Sequence, residues 1–139
     1  MGAAAALICL VVAITDGDTV KVRCDEQPQQ RVRLAEIDTP EKAQPFGAKA
    51  KQALSDLAYM KKVRMEVETT DRYGRLVAHL YDGDTHINAV LVEQGMAWCY
   101  RQYLKRDWCL PAEKRAKEAK RGLWLDAEPV PPWEWRRRK

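Results

Sequence analysis

Three short segments of this chain concentrate carboxylates and guanidinium groups: Asp16-Gly17-Asp18-Thr19, Asp38-Thr39-Pro40-Glu41 and Asp71-Arg72-Tyr73-Gly74-Arg75. Each alone has a plain structural reading. Asp-Gly is favoured hairpin-turn chemistry, and the first tetrapeptide recurs as Asp82-Gly83-Asp84-Thr85 with nothing around it that suggests a site. Thr39, Pro40 and Glu41 make a good helix start: a cap, a fixed φ and an acid near the positive end of the dipole. Asp71 to Arg75 reads as a charged turn before a strand or as a phosphate clamp, in which Gly74 lets the backbone approach closely. Position lifts the second segment above its plain reading. It directly follows a strand pattern holding Arg33, and Pro40 restricts the turn that keeps Asp38 and Glu41 near the strand's end, so two acids and a base converge.

The elements that must hold these groups read as strands first and helices afterwards. Residues 7 to 15 are too short and too β-branched for a helix and read as a buried strand. Val20 to Asp25 and Arg31 to Leu34 alternate with period two, and Val63 to Glu68 and Arg75 to Tyr81 complete about five strands. Helical spacing runs from Gly47 to Met60, through Ile87, Val90 and Leu91 ahead of Gly95, and from Pro111 to Arg121 with Gly122 just past its end. The expected fold is α+β: a five-stranded OB-type Greek-key β-barrel with about three α-helices, one lying between the third and fourth strands. After Glu128 the run Pro-Val-Pro-Pro-Trp-Glu-Trp-Arg-Arg-Arg-Lys excludes, on this reading, a regular helix or central strand. Residues 128–139 are expected as a tail, pinned by Trp133 and Trp135, on a domain of residues 1–127.

With 139 residues, 46% of them hydrophobic, the chain supports one compact domain and excludes a second. The net charge of +4 equals what Arg136, Arg137, Arg138 and Lys139 supply by themselves. A nearly neutral body excludes a binder that works by bulk charge but allows a local basic cleft for a phosphodiester. The apolar run from Ala3 to Ile14, about a dozen residues, falls short of the roughly 20 a spanning helix needs, so no membrane partner is expected. It lacks a basic leading stretch and a cleavage site, which argues against a complete signal peptide. Cys9, Cys24, Cys99 and Cys109 show no Cys-x-x-Cys spacing and stand far from His79 and His86, which argues against a zinc site.

Taken in order, Asp16-Gly17-Asp18-Thr19-Val20, Arg33-Leu34 with Ile37-Asp38-Thr39-Pro40-Glu41, and Asp71-Arg72-Tyr73-Gly74-Arg75 closely resemble the staphylococcal nuclease (thermonuclease) family, in its bacterial secreted branch. The resemblance runs from about Val12 to Trp124 and takes in Asn88 to Gly95 and Gly122-Leu123-Trp124. It implies that Asp18, Asp38 and the Thr39 carbonyl hold one Ca²⁺. The chemistry agrees, because calcium takes oxygen ligands and leaves room for water and phosphate, whereas magnesium fits less well. By the same resemblance Glu41 accepts a proton from the attacking water, directly or through a second water. Arg33 and Arg75 become the catalytic arginines, whose forks grip a phosphodiester as it gains charge. Arg72, Tyr73, Tyr100 and Tyr103 are the matching candidates for substrate binding. The implied activity is calcium-dependent hydrolysis of DNA and RNA that leaves 3′-phosphate ends.

The sequence departs from well-known members of that family in three places. The link Lys42-Ala43-Gln44-Pro45-Phe46-Gly47 is short, so a long mobile loop beside the site is missing. The tail reads as a strap of tryptophans over the barrel, with a basic end that could touch nucleic acid. Two disulfides are expected, Cys9 with Cys24 across one hairpin and Cys99 with Cys109 closing a short loop, out of three ways to pair four cysteines. They imply an oxidising compartment, hence a secreted or periplasmic protein, read here as a monomer. The run Lys114, Arg115, Lys117, Lys120 and Arg121 is read as a solvated face. Two rivals stand beside the nuclease: a non-catalytic OB-fold module binding nucleic acid or protein, and a calcium-stabilised structural domain. The first has no need of the full set Asp18, Arg33, Asp38, Glu41 and Arg75, and the second leaves both arginines unexplained.

Overall fold

Period-two burial sets the barrel wall in the computed structural model, which describes residues 7–138. The start of the apolar run, Ala3 to Ala6, and the terminal Lys139 lie outside the described residues. In β1 (Leu7–Asp16), β2 (Thr19–Arg23) and β3 (Gln30–Leu34), Cys9, Val11, Val20, Val22, Val32 and Leu34 point inward, while Lys21, Arg23 and Arg31 stay exposed. After the two-residue strand β4 (Ile37–Asp38) and helix α1 (Gly47–Ala58), β5 (Lys62–Thr70) adds Val63 and Met65, and β6 (Leu76–Asp82) adds Ala78 and Leu80. The hydrogen-bonded order is β3-β2-β1-β5-β6, and a parallel pairing of β3 with β6, Arg33 opposite Val77, closes the five strands on themselves. This is the OB-type barrel, with α1 between its third and fourth long strands as expected.

The second Asp-Gly pair is a turn, joining β6 to β7 (Thr85–His86), and α2 (Ile87–Glu93) follows at once. Asn88 fastens α2 to the barrel: its Nδ2 donates to the Ala35 and Ala78 carbonyls at 3.1 and 3.3 Å, and its Oδ1 accepts from the Leu80 amide at 3.1 Å. Beyond it come β8 (Trp98–Cys99), a 3-10 turn at Arg101–Tyr103, α3 (Cys109–Glu118) and a second 3-10 turn at Gly122–Leu125. Both cysteine pairs are formed, Cys9 with Cys24 and Cys99 with Cys109. No described helix is long and apolar enough to cross a membrane.

The tail corrects the sequence reading, because Pro132–Arg137 is a short helix, α4. Pro132 begins it without penalty, since the first amides of a helix have no intrahelical acceptor to lose. Trp133 then packs edge-on to Trp98 at 5.6 Å and stacks on Tyr100 at 5.5 Å. Trp133 acts as the expected strap, while Trp135 lines a cavity of about 60 Å³ together with Phe46, Leu123 and Val130.

Candidate active site

The first acid is positioned by a close packing contact. A Cβ at Gly17 would lie 2.7 Å from Thr39 Oγ1, so only glycine lets the turn after β1 press against Thr39. The next residue, Asp18, accepts the Thr39 amide on Oδ2 at 3.0 Å and the Thr19 hydroxyl on Oδ1 at 3.1 Å. The second acid, Asp38, is carried by β4, which is too short to stand alone. Its partner strand β8 pairs Asp38 with Trp98 and Ile37 with Cys99. Cys99 is in turn held by the disulfide to α3 and by the buried Glu113 carboxylate, which accepts its amide at 2.7 Å.

Arg33 joins the two acids. Its Nη1 lies 3.4 Å from Asp18 Oδ2 and its Nη2 3.3 Å from Asp38 Oδ1, while Nη1 also donates to the carbonyls of Leu34 and Ile37 at 3.0 and 2.9 Å. One guanidinium therefore both charges the site and clamps the bend between β3 and β4.

Negative charge is in excess here. Burial, then the Asp18 charge and hydrogen bond, push the neighbouring Asp16 carboxyl up to about 6. Burial likewise pushes Asp38 up to about 6, against the lowering pull of Arg136 and Arg33. Burial also works to raise Asp18, but Arg33 and hydrogen bonds from Asp16 and Thr39 hold it below the usual carboxylate value. Two desolvated carboxylates that their nearest cations leave under-neutralised, Asp16 and Asp38, beside the ionised Asp18 make a cluster of oxygen donors that suits a hard divalent cation. Asp18, Asp38 and Thr39 fit that role.

Glu41 sits at the turn beyond Asp38, one-third exposed, its amide donating to Gln44 Oε1 at 3.1 Å. A Cβ at Gly47 would lie 2.0 Å from the Glu41 carbonyl, so α1 can begin against this turn only with glycine there. The sequence reading missed the group that Glu41 meets. Arg136, on α4, places Nη1 3.0 Å from Glu41 Oε1 and Nη2 2.7 Å from Asp38 Oδ2 and 3.2 Å from the Tyr100 hydroxyl. Burial disfavours its charge, but hydrogen bonds and charges from Asp38 and Glu41 more than offset this and raise its pKa further. Asp16 was read only as a turn residue, and its burial beside Asp18 has no sequence signal beyond that turn.

Arg75 stands apart from the acids. Its Nε donates to Asp71 Oδ2 at 2.8 Å, and the Asp71 carboxylate also accepts the amides of Tyr73 and Arg75 at 2.9 Å, which closes the 71–75 turn. The β3–β6 register still aims it at the same face as Arg33, because Val77 is opposite Arg33 and Arg75 is two residues upstream, roughly 7 Å along the strand. Arg72 donates to the Tyr73 hydroxyl at 2.9 Å, and Arg31 donates to the Tyr73 carbonyl. Tyr73 and Tyr103 are more than half exposed. Tyr103 meets Tyr100 edge-on at 4.8 Å, the Tyr100 hydroxyl lies 3.2 Å from Arg136 Nη2 beside Asp38, and Tyr103 is close enough to Arg72 to act on its charge.

A second polar cluster lies elsewhere. His79 Nε2 is 2.7 Å from Glu68 Oε2 and 3.2 Å from Glu36 Oε2, and its Nδ1 is 2.9 Å from His86 Nε2. These groups are close enough to share an ion, but protein donors already engage them. Glu36 takes the amides of Lys105 and Arg106 and the Trp108 indole at 2.8, 3.0 and 3.1 Å. The cluster fastens the 104–108 segment to the barrel.

Residues 31–126 match the family model described as staphylococcal nuclease homologue. The chain belongs to the staphylococcal nuclease family. It is 46% identical over 131 residues to an uncharacterized endonuclease of Haemophilus influenzae, covering 94% of this chain and 74% of that protein. It is 43% identical over 138 residues to a micrococcal nuclease of Shigella flexneri, covering 91% and 79%. A staphylococcal-like nuclease of Arabidopsis thaliana is 38% identical over 109 residues, 78% of this chain and 34% of that protein. A nuclease of this family is a hydrolase. Arg33, Asp38, Thr39, Glu41 and Arg75 lie inside the matched segment, while Asp16, Asp18 and Arg136 lie outside it.

Proposed function

We propose that this nuclease is calcium-dependent and hydrolyses phosphodiester bonds of both DNA and RNA by attack of water, leaving 3′-phosphate ends. The observation that carries the reading is the convergence of Asp18, Arg33, Asp38 and Glu41 on one oxygen-rich, electronegative spot. Asp18, Asp38 and the Thr39 carbonyl would hold the ion. When bound, calcium supplies positive charge against the phosphate oxygens and orients them. Glu41, more exposed than the other acids, accepts the proton of the attacking water. Arg33 binds one equatorial phosphate oxygen. Arg75 binds another through its Nη edge while Asp71 steadies Nε. Arg72, Tyr73, Tyr100 and Tyr103 offer the basic and aromatic surface along which a polynucleotide would run. Two disulfides support a secreted or periplasmic protein, and one copy of the chain supplies every named residue, in keeping with a monomer.

Degradation of single-stranded DNA and of RNA in calcium, in magnesium and in chelator, beside a Glu41→Gln variant, tests this. Calcium-dependent cleavage of both polymers, with 3′-phosphate ends and a collapse in the variant, is the expected result. Tight binding without cleavage in any metal would replace the reading with a non-catalytic nucleic-acid module.

A further inference from the structure

The C-terminal helix has no obvious work to do in a hydrolysis reaction, yet it ends on the acidic cluster of the candidate active site. Arg136 bonds to both oxygens of Asp38, at 2.7 and 3.3 Å, and to Glu41 at 3.0 Å. Asp38 belongs to the proposed calcium seat and Glu41 faces the attacking water. Calcium sits 2.3–2.6 Å from its oxygens, so a guanidinium nitrogen against Asp38 Oδ2 and an ion on that same oxygen compete for one place. We propose that α4 is a plug: Arg136 stands in for the cation, and the seated helix and calcium exclude one another. The inference rests on the calcium reading above.

The seat for the plug is built rather than incidental. Trp133 fills the angle between Trp98 and Tyr100, with its ring 8° from parallel to that of Tyr100. Gln44 reaches in two directions, donating Nε2 to the Val130 carbonyl at 2.6 Å while its Oε1 takes the Glu41 amide. One side chain thus ties the Glu41 turn to the chain entering α4. Pro132 is buried at the start of the helix. At six residues α4 is too short to be helical alone, so it forms only where it is seated and leaves as a unit. The plug also explains how Asp38 and Glu41 tolerate one another before an ion arrives: Arg136 offsets part of their charge. Apparent calcium affinity is then lowered by the fraction of molecules that are plugged.

Calcium binding to the full chain, measured by titration calorimetry without nucleic acid, tests the proposal. Arg136→Ala and Trp133→Ala, which unseats the helix without touching Asp38, should each bind calcium on the order of tenfold more tightly than the natural chain. Trypsin cleavage after Arg136 and Arg137 of the natural chain, followed by mass spectrometry, should speed up on adding calcium as the helix is released. A thermal melt of each variant verifies that the barrel is intact. Equal or weaker calcium binding by Arg136→Ala, or a cleavage rate that calcium leaves unchanged, overturns the plug while the calcium site stands. A higher KM for DNA with unchanged calcium affinity would make Arg136 a substrate contact instead. Absence of calcium binding by all three proteins would overturn the plug together with the calcium reading.

Discussion

Arg33 and Arg75 share an expected chemical role but not a structural one, and their variants should separate. Arg33 serves two carboxylates and two carbonyls from a side chain 14% exposed. Arg33→Lys keeps a charge but loses the fork, so the catalytic rate should fall on the order of 10² to 10³. It should also melt lower, because the bend between β3 and β4 loses its clamp. Arg75→Ala should fall in rate by a similar factor and change stability little, since its pair with Asp71 is partly exposed. Steady-state kinetics and urea midpoints on both variants check this, and a fully active Arg75→Ala would remove Arg75 from the mechanism. Asp18, Arg33, Asp38 and Glu41 were legible in the sequence because each sits in a short motif at the end of a strand that alternation reveals. Arg136 was not, since it reaches Asp38 across 98 residues and a basic tail looks the same whether it is solvated or seated.

The long strands and α1 to α3 follow from period and punctuation, and each ends within a few residues of where its pattern ends. The elements that place Asp38 do not. Two-residue strands such as β4 and β8 carry no periodicity, and only their partners make them strands. α4 was misread because its prolines suggest an interrupted coil, whereas Pro132 stands where helices accept proline. What secures β8 is covalent, which makes a prediction at this scale. Replacing Cys99 and Cys109 together by serine opens a loop of 10 residues and should lower stability by about 3 kcal/mol. Because β8 is the partner of β4, calcium affinity should fall with it, whereas a Cys9→Ser/Cys24→Ser chain should lose stability without that loss of affinity. Calorimetric titration beside urea melts distinguishes the two, and equal affinity in both double variants would show that β4 holds Asp38 without β8. Gly47→Ala is a sharper probe of α1. Its Cβ would meet the Glu41 carbonyl at 2.0 Å, so activity should drop at the Glu41 turn even where the helix itself gains from alanine.

Acid acts on the molecule as a whole in two opposing directions. Burial first, then His79 and Arg106, push His86 down from 6.5 to about 4. The unfolded chain therefore binds more protons than the folded one between those values. Stability that is complete above pH 6.5 drains away as the pH falls towards 4, with a slope of at most about 1.4 kcal/mol per pH unit. Asp16 and Asp38 do the reverse in the metal-free protein. Raised from 3.8 to about 6, they bind protons more readily when folded, so their contribution grows as the pH falls through that range. Two carboxylates against one imidazole leave a net gain in stability as the pH falls from about 6 to 4, smaller than the carboxylates alone would give. His86→Gln separates them, because the glutamine amide can donate to or accept from His79 Nδ1 but cannot titrate. The variant should melt close to the natural chain at pH 7 in chelator and gain on it steadily from pH 6.5 to 4.5. Urea midpoints at half-unit steps give the difference, in which the carboxylate contributions cancel because neither acid touches the His79 cluster. Parallel curves across that range would mean that His86 takes up its proton in the folded state as readily as in the unfolded chain, and that the cluster around Glu36 and Trp108 opens to water.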